Sequence, residues 1–513
     1  TATATATYTP TPTATMPPPP VTEVCGSITA NTTWSPANGT YVATCGVTVD
    51  TGVTLTIQPG TVIKLSYWGD FTINGTLRVQ GTSANPVYFT SLQDDTIGGD
   101  TNNDGDETSP GKGDWDQIHV SNGGRVEMSY ATLRYGGGYY YYPYSTIYLD
   151  DGSTVVLDHV NINNSLDSGI YVDLGSTSTA EMASLTVTNS TIADNGSKGI
   201  YVYGQAEDAI SLALENNAFS GNGYGAVDIT LDPITSLSLL NNSGTGNGNN
   251  SVYLSGTANN DLSLPGNSGM PYWLSYISIP SGKTLTIQPG AVVKLSGSVY
   301  VEGTLSVPGT ATNPVTFTSY NDDSVGGDTN NDGNATSPAK GDWGPIYTVD
   351  GGRVEMSYAT VRYGGDRSCG SYGTTTLCLT NGGTVVLDHV SLTDSLGYGV
   401  AVQLVNQNGS TSGAETANLT ITNSTIAGNS YDGVYTFGGP EDTVTASVTY
   451  TNFSNNTGYG ILAYYHKGSL TLENNTFTNN RNGAISIDWN STLTLGLLNN
   501  SGTGNGNNSV YLS

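Results

Sequence analysis

The sequence predicts an all-β solenoid, in which short strands wind into coils that stack on one another. Its 513 residues include 67 Gly, and only 11% of its residues are charged, a composition that favours turns and strands over helices. Val, Ile, Leu and 33 Tyr recur throughout, which argues against a disordered chain. Short alternating segments also return at regular spacing, which is typical of stacked repeats.

The chain contains one long unit twice. Residues 239–255, LLNNSGTGNGNNSVYLS, return letter for letter at 497–513. Further blocks return in the same order: TLTIQPG at 54–60 and 284–290, GDW at 113–115 and 341–343, GGRVEMSYAT at 123–132 and 351–360, and TVVLDHV at 154–160 and 384–390. The offset between copies is 228 to 230 residues in these blocks and 258 at the shared ending, which indicates insertions late in the second copy. We therefore predict a tail at 1–23 and two units at 24–255 and 256–513.

A shorter rhythm runs inside each copy. Segments such as LTVTNSTIADNGSKGIYVYG (185–204) and LTITNSTIAGNSYDGVYTFG (419–438) join an alternating strand to Asn-rich turns, an inward apolar residue and a Gly before the next strand. These glycines lie 23 to 34 residues apart, the length of a solenoid coil: Gly169, Gly199, Gly225, Gly399, Gly433, Gly460 and Gly483. We expect Asn at equivalent corners to form a hydrogen-bonded ladder, and Gly to occupy positions with positive φ.

This pattern resembles the right-handed parallel β-helix superfamily, the pectate-lyase-like solenoids. The resemblance covers roughly residues 24–513 and implies the fold, but it says little about activity. At roughly 23 residues per coil and about 4.8 Å per step, it predicts about 21 coils and a rod of about 100 Å. An array of β-sandwiches, with the TLTIQPG blocks in a cap, is the alternative fold.

Charge and cysteine content limit the partners and the compartment. The formal net charge of −28 argues against nucleic acid and anionic membranes and favours a cation as small partner. No apolar run is long enough to span a membrane. Two local cysteine pairs, Cys25 with Cys45 and Cys369 with Cys378, predict two disulfides and an extracellular protein, with reduced thiols in a cytosolic protein as the alternative. The chain opens without a signal peptide, so we expect the processed form of a secreted protein.

The most specific motif is DDTIGGDTNNDGDETSPGKGDW (94–115), with its twin DDSVGGDTNNDGNATSPAKGDW (322–343). Alternating oxygen-bearing side chains before a Gly gather hard ligands around one point, as calcium requires. The motif looks like the first half of an EF-hand loop, although Gly111 and Ala339 replace its bidentate Glu. We predict structural Ca²⁺ here, with a solvated loop anchored by Trp115 and Trp343 as the alternative. The predicted ligands are Asp100, Asn102, Asp104, Asp106, Asp114, Asp328, Asn330, Asp332, Asn334 and Asp342, with Asp94, Asp95, Asp322 and Asp323 as further candidates.

The sequence offers no convincing catalytic constellation, so we predict that the protein is not an enzyme. Pectate-lyase-like enzymes combine clustered acids with a basic residue as proton acceptor. The repeated basic residues fit structural roles better, because they occur in both copies: Lys64 and Lys294, Lys112 and Lys340, Arg125 and Arg353, and Arg134 and Arg362. Asp158 and His159, like Asp388 and His389, are chain neighbours that we expect on opposite faces of a strand. His119 and His466 have no evident partner.

Two functions remain open. The first is a structural subunit of an extracellular filament that polymerises head to tail. In this prediction the alternating tail adds as a strand to a neighbouring molecule, and the repeated ending meets that neighbour. The assembly residues are Thr1, Thr3, Thr5, Thr7, Tyr8, Val510, Tyr511, Leu512 and Ser513. The alternatives are a Thr/Pro-rich stalk at residues 1–20 and a truncated chain that imitates an open end.

The second function is a surface-attached protein that binds or degrades polysaccharide. Residues 139–144, YYYYPY, offer aromatic rings for stacking on sugars. The alternative for this cluster is packing against a neighbouring molecule, because Tyr combines a large contact area with a polar tip.

Overall fold

The structure is a computed structural model. It describes residues 20–105, 107–138, 145–175, 180–266, 269–370, 373–380, 382–404, 414–464, 467–488 and 493–513. Within these ranges the chain forms 50 strands and one short 3₁₀ helix, Pro36–Asn38. All strand pairs are parallel, and each coil contributes strands to three faces of a right-handed β-helix. The predicted fold is therefore confirmed.

The first face consists of an eight-stranded and a nine-stranded sheet. Its strands are Thr32–Trp34, Thr54–Ile57, Thr76–Gln80, Arg125–Ser129, Ser153–Asp158, Met182–Thr188, Ala209–Glu215, Ile234–Leu240, Leu262–Leu264, Thr284–Ile287, Thr304–Pro308, Arg353–Ser357, Thr384–Asp388, Thr416–Thr422, Thr443–Thr449, Lys467–Glu473 and Leu493–Leu498.

The second and third faces belong to one 33-stranded sheet. The second face carries Val62–Leu65, Val87–Ser91, Ala131–Arg134, Asn161–Asn163, Thr191–Ala193, Ala218–Ser220, Ser243–Thr245, Val292–Leu295, Val315–Ser319, Ala359–Arg362, Ser391–Thr393, Thr425–Ala427, Asn452–Ser454, Thr476–Thr478 and Ser501–Thr503. The third face carries Phe71–Ile73, Ile118–Val120, Ser145–Leu149, Ser168–Asp173, Lys198–Tyr203, Gly225–Thr230, Val252–Thr257, Val299–Val301, Ile346–Thr348, Thr375–Leu379, Tyr398–Leu404, Val434–Gly438, Tyr459–Tyr464, Gly483–Ile487 and Val510–Leu512. The longer strands Val21–Ile28, Thr40–Val49 and Tyr272–Ile279 run across both faces.

Alternation of apolar and polar residues places one continuous core inside the coils. In Met182–Thr188, Leu185 and Val187 are buried, whereas Thr186 and Thr188 lie on the outer surface. Each coil alone exposes its inward side chains, so stacking is what removes this apolar area from water. One hydrophobic cluster runs from Trp34 to Leu493 and thus through both sequence copies.

The coil count differs from the sequence expectation. The first face has 8 and 9 strands in its two sheets, one per coil, which makes 17 coils rather than about 21. Loops between strands, above all residues 92–117 and 320–345, lengthen several coils beyond the assumed period. The TLTIQPG blocks supply Thr54–Ile57 and Thr284–Ile287 to the same faces, so they form no separate cap. The boundaries at 23/24 and 255/256 stay predictions.

The predicted asparagine ladders are confirmed. Between the second and third faces, Oδ1 of Asn222 accepts hydrogen bonds from the backbone N–H (3.3 Å) and Nδ2 (2.9 Å) of Asn195. Asn247 does the same for Asn222 one coil later. Asn429, Asn456 and Asn480 repeat the arrangement in the second copy. Each amide satisfies backbone groups that the tight corners leave unpaired inside the protein.

Glycines at many turns, such as Gly52 (φ 78°) and Gly282 (φ 74°), have the expected positive φ, but the repeated glycines that mark the coil period do not. The repeated glycines, Gly433 among them, have no positive φ. Except at Gly225, close packing requires them, since a Cβ at Gly433, for example, would lie 2.6 Å from the carbonyl oxygen of Gly460. Where the left-handed position is not a glycine, it is held mostly by asparagines such as Asn189 (φ 51°) and Asn423 (φ 50°). Asn tolerates this conformation better than most side chains do.

Both predicted disulfides are present, between Cys25 and Cys45 and between Cys369 and Cys378. The second bond ties a loop to Thr375–Leu379 on the third face. Among the described residues, no helix has the length and apolar character that crossing a bilayer requires.

Candidate metal sites

Two long loops leave the helix at equivalent places. Residues 92–117 connect Val87–Ser91 on the second face with Ile118–Val120 on the third, and residues 320–345 repeat this connection in the second copy. Each loop ends at a fully buried tryptophan. The indole N–H of Trp115 donates to the carbonyl oxygen of Arg134 (2.8 Å), and Trp343 does the same to Arg362 (2.9 Å). The tryptophans thus anchor the loops.

An aspartate–arginine pair holds the base of each loop. Asp94 is buried and accepts from Nη2 of Arg134 at 2.5 Å, and Asp322 pairs with Arg362 at the same distance. Burial alone would raise the pKa of Asp94, but hydrogen bonds from Thr90 and Thr96 and the charge of Arg134 hold this pKa below its usual value. Asp94 and Asp322 therefore stabilise the base of each loop, and their carboxylate oxygens already accept hydrogen bonds there.

Three carboxylates converge above this base in each loop. One oxygen each from Asp95, Asp100 and Asp104 lie within 4.8 Å of one another. The backbone turn fixes this geometry, because the N–H groups of Asp104 (3.3 Å) and Gly105 (3.0 Å) both donate to the Asp100 carboxylate. The predicted ligands Asp100 and Asp104 thus come together, and Asp95 joins them from the wider set of candidates.

The second loop reproduces the cluster. Oxygens of Asp323, Asp328 and Asp332 also lie within 4.8 Å of one another. Asp328 accepts from the N–H groups of Asp332 (3.1 Å) and Gly333 (2.9 Å), as its counterpart does in the first copy. The recurrence shows that the arrangement follows from the shared motif and not from a local accident of one loop.

Several oxygens in these clusters are buried without a hydrogen-bond donor. They are Oδ1 of Asp95, Asn102 and Asp104 in the first loop and Oδ1 of Asp323 and Asn330 in the second. Nδ2 of Asn102 donates to Oδ2 of Asp104 at 2.8 Å, which leaves the amide oxygen of Asn102 available as a ligand. Buried acceptors without a partner are costly, and a hard cation would satisfy them.

The electrostatics also favour a cation. Desolvation raises the pKa of Asp95; the charge of Lys64 opposes this effect, and the neighbouring charges of Asp100 and Asp104 add to it. Desolvation and the charge of Asp328 likewise raise the pKa of Asp323. Like charges at short distance disfavour the ionised form of these carboxyl groups. A bound cation would stabilise that form, which is the form that binds a metal.

A buried lysine lies beneath each loop, where the sequence alone predicted only a structural role. The side chains of Lys64 and Lys294 are fully buried. Nζ of Lys64 donates to the carbonyl oxygen of Gly99 and lies 3.7 Å from Oδ1 of Asp95. Nζ of Lys294 donates to Gly327 at 2.6 Å. The sequence did contain a signal for this burial. In the strands VIKL and VVKL the lysine stands at an outward-facing position, and only a loop that covers the strand can bury a side chain there.

The other predicted ligands lie apart from the clusters or outside the described residues. Oδ2 of Asp114 accepts from Ser91 (2.7 Å) and from the N–H of Gly111 (2.8 Å), so it closes the end of the loop. Asp342 is held in the same way by Ser319 and Ala339. Asn334 is exposed on its loop, and Asp106 lies outside the described residues.

The histidine expectations were wrong in two respects. Nδ1 of His159 lies 3.0 Å from Asp158, although the two are chain neighbours, because a positive φ of 56° turns His159 out of the strand. His389 pairs with Asp388 in the same way. His119 has a partner, since its Nε2 lies 2.7 Å from Oδ2 of Asp150. His466 lies outside the described residues.

The predicted assembly residues are only partly described. Thr1, Thr3, Thr5, Thr7 and Tyr8 lie outside the described residues, as does the aromatic segment 139–144. Val510–Leu512 is a strand of the third face that pairs with Gly483–Ile487, and the N–H of Ser513 donates to the carbonyl oxygen of Ile487 (3.1 Å).

The chain belongs to the right-handed beta helix family, whose model matches residues 22–207, 113–236 and 344–513. Among solved structures, it is similar to the catalytic domain of a GH87 alpha-1,3-glucanase in complex with tetrasaccharides. The identity is 10%, the TM-score is 0.19, and the match covers 95% of this chain and 64% of that one, so the chain spans less than two thirds of that domain. No curated protein matches the chain.

Proposed function

We propose that this protein is an extracellular structural β-helix whose two acidic loops each bind one Ca²⁺ ion. The observation that supports this proposal is the recurrence, in both loops, of three converging carboxylates beside buried oxygens that lack a donor. The ligands would be Asp95, Asn102 and Asp104 with Asp100 in the first loop, and their counterparts in the second. Oxygen-only ligands suit Ca²⁺ better than the softer transition metals.

The ion would act by holding the loops against the helix. Each loop concentrates carboxylates over one buried lysine and one arginine, which leaves an excess of negative charge. A divalent cation would remove this repulsion and would tie residues near position 95 to the turn at residues 100–105. The two disulfides support an oxidising, extracellular setting, in which Ca²⁺ is plentiful.

Thermal unfolding of the full chain in Ca²⁺ and in EGTA tests this proposal. A free Ca²⁺ concentration of 100 times the dissociation constant adds about 2.7 kcal/mol per site to the free energy of unfolding, so Ca²⁺ should raise the melting temperature. Asp104→Asn and Asp332→Asn should each remove part of the shift, and the double variant should remove nearly all of it. Asp261→Asn, outside both loops, is the matched control. A double variant that responds to Ca²⁺ as the wild type does would contradict the proposal.

Head-to-tail assembly into filaments is the finer form of the structural proposal. It depends on the alternating tail and on the repeated ending, and it stays a prediction until electron microscopy compares the intact chain with one that lacks residues 1–20. Filaments that vanish on deletion would support it. The prediction that residues 139–144 bind polysaccharide likewise stays open.

A further inference from the structure

A pocket of about 350 Å³ lies beside the corner that precedes the third-face strand Val434–Gly438. Tyr431, Asp432, Gly458 and Arg481 are among the residues that line it. Small-ligand sites range from roughly 300 to 1,000 Å³, so the pocket has room for a small molecule.

A buried carboxylate dominates the chemistry of this pocket. Asp432 is only 6% exposed, and its Oδ1 accepts a hydrogen bond from the backbone N–H of Tyr459 (2.5 Å). Among the described residues, this N–H is the one group that offsets the desolvation of the carboxylate, and no cation contributes. A buried carboxylate without a cationic partner is costly, and a cation in the pocket would remove much of that cost.

A glycine leaves room in front of the carboxylate. A Cβ at Gly458 would lie 2.1 Å from Oδ1 of Asp432, so a larger residue there would collide with the carboxylate. Tyr431 is the neighbour of Asp432 in the chain, and 48% of its surface is exposed. Tyr398 packs against the Tyr431 ring with centroids 5.2 Å apart. An aromatic ring beside an anion suits a positively charged group, which is attracted to both.

The first copy shows that the fold does not require an acid at this position. Lys198 stands in KGIYVYG where Asp432 stands in DGVYTFG. Nζ of Lys198 forms an ion pair with Asp228 at 2.6 Å, and Leu462 takes the place of Asp228 in the second copy. The second copy has therefore lost an ion pair and holds a buried carboxylate instead, a difference that the shared architecture does not explain.

We propose that this pocket binds a small organic molecule through a single ammonium group. The ammonium group would donate hydrogen bonds to the Asp432 carboxylate and lie against the ring of Tyr431. The formal net charge of −28 favours the approach of a cation. Arg481 is exposed at the edge of the pocket and disfavours a second positive charge on the ligand. A monoamine should consequently bind better than a diamine.

Saturation-transfer NMR of the full chain tests this proposal with n-butylamine, its neutral analogue 1-butanol and the diamine putrescine. Butylamine should bind at pH 8, putrescine should bind more weakly, and 1-butanol should bind roughly tenfold more weakly or less, because it lacks the charge. Asp432→Asn should weaken the binding of butylamine by roughly tenfold or more for the same reason. Glu207→Gln, at an exposed site, is the matched control.

The binding of butylamine should also depend on pH. Burial raises the pKa of Asp432 to about 6, so the carboxyl group is mostly ionised at pH 8 and about one tenth ionised at pH 5. The other titratable side chains that line the pocket are Tyr398, Tyr431 and Arg481. Burial and the charge of Asp432 raise the pKa of Tyr398 to about 12, and arginine keeps its charge at both pH values. Butylamine, an alkylamine like the lysine side chain, stays protonated, so it should bind about tenfold more weakly at pH 5.

The inference is overturned if butylamine does not bind, if 1-butanol or putrescine binds as tightly, or if Asp432→Asn leaves butylamine binding unchanged. Butylamine binding that occurs only in Arg481→Ala would also overturn it, because the arginine would then neutralise Asp432 in the wild type. Asp432→Asn removes a buried charge and should therefore fold, which keeps the test decisive. Calcium binding is measured separately, so the outcome is independent of the metal proposal.

Discussion

Single asparagines at the coil corners carry much of the buried polar bonding. Asn222 is fully buried, and its Nδ2 donates to Asn247 and to the carbonyl oxygen of Ile192. Its Oδ1 accepts twice from Asn195. Each polar group left unpaired inside costs roughly 1–3 kcal/mol, so the ladder is sensitive to the loss of one member.

Asn222→Ala should lower the free energy of unfolding by about 3 kcal/mol, because it leaves several buried donors and acceptors without hydrogen-bond partners. Ser211→Ala is the control, since Ser211 is exposed and its hydroxyl bonds only to Ser236. Urea denaturation followed by circular dichroism measures both. Equal stability of the two variants would show that the ladder contributes little.

One buried carboxylate gives the protein a specific pH dependence. Burial raises the pKa of Asp432 to about 6, and a hydrogen bond from the N–H of Tyr459 only partly offsets this effect. The unfolded chain has a value of about 3.9. The stabilising contribution of the protonated carboxyl group is therefore complete below about pH 4 and is lost as the pH rises through about 6.

Asp432→Asn should consequently be more stable than the wild type at pH 8, by up to about 3 kcal/mol, since Asn keeps the acceptor and carries no charge. The advantage should disappear below about pH 4. Unfolding free energies across this range measure it, with Glu207→Gln at an exposed site as the control. A pH-independent difference would show that Asp432 does not titrate as described.

At the scale of the coil, close packing at the start of the third-face strands sets a limit on side-chain size. A Cβ on Gly433 would lie 2.6 Å from the oxygen of Gly460 and 2.8 Å from Cδ1 of Phe453. Overpacking of this kind costs roughly 1–3 kcal/mol. Gly496 lies on the outer surface of a first-face strand, and its nearest neighbour would be 3.7 Å away.

Gly433→Ala should therefore destabilise the protein by about 2 kcal/mol or more, whereas Gly496→Ala should be neutral or slightly stabilising. Differential scanning calorimetry distinguishes the two. If both variants melt at the wild-type temperature, the coils are looser at this corner than their packing indicates.

The sequence predicted the elements better than the sites within them. Periodicity revealed the strands and the asparagine ladders, because both depend on local pattern. Periodicity failed where contacts outside the local pattern determine the position of a side chain. His159 reaches Asp158 only because His159 leaves the strand. Lys64 is buried only because a loop distant in sequence covers it. The motif indicated Asp100 and Asp104 together, but it could not separate Asp95, which faces the cluster, from Asp94, which binds Arg134.

At the scale of the whole molecule, one core passes through both copies of the repeated unit. Each copy keeps one acidic loop. The 28-residue growth of the offset, from 230 to 258, is about the length of one coil, and the second sheet of the first face has one strand more than the first. Duplication therefore explains why the two acidic loops share one geometry.

Isothermal titration of the metal-free full chain with Ca²⁺ is the measurement that tests the account most directly. It should give two ions bound per chain, one ion for either Asp104→Asn or Asp332→Asn, and none for the double variant. Binding of no Ca²⁺ by the wild type, or two ions bound by the double variant, would contradict the assignment of the acidic loops as calcium sites.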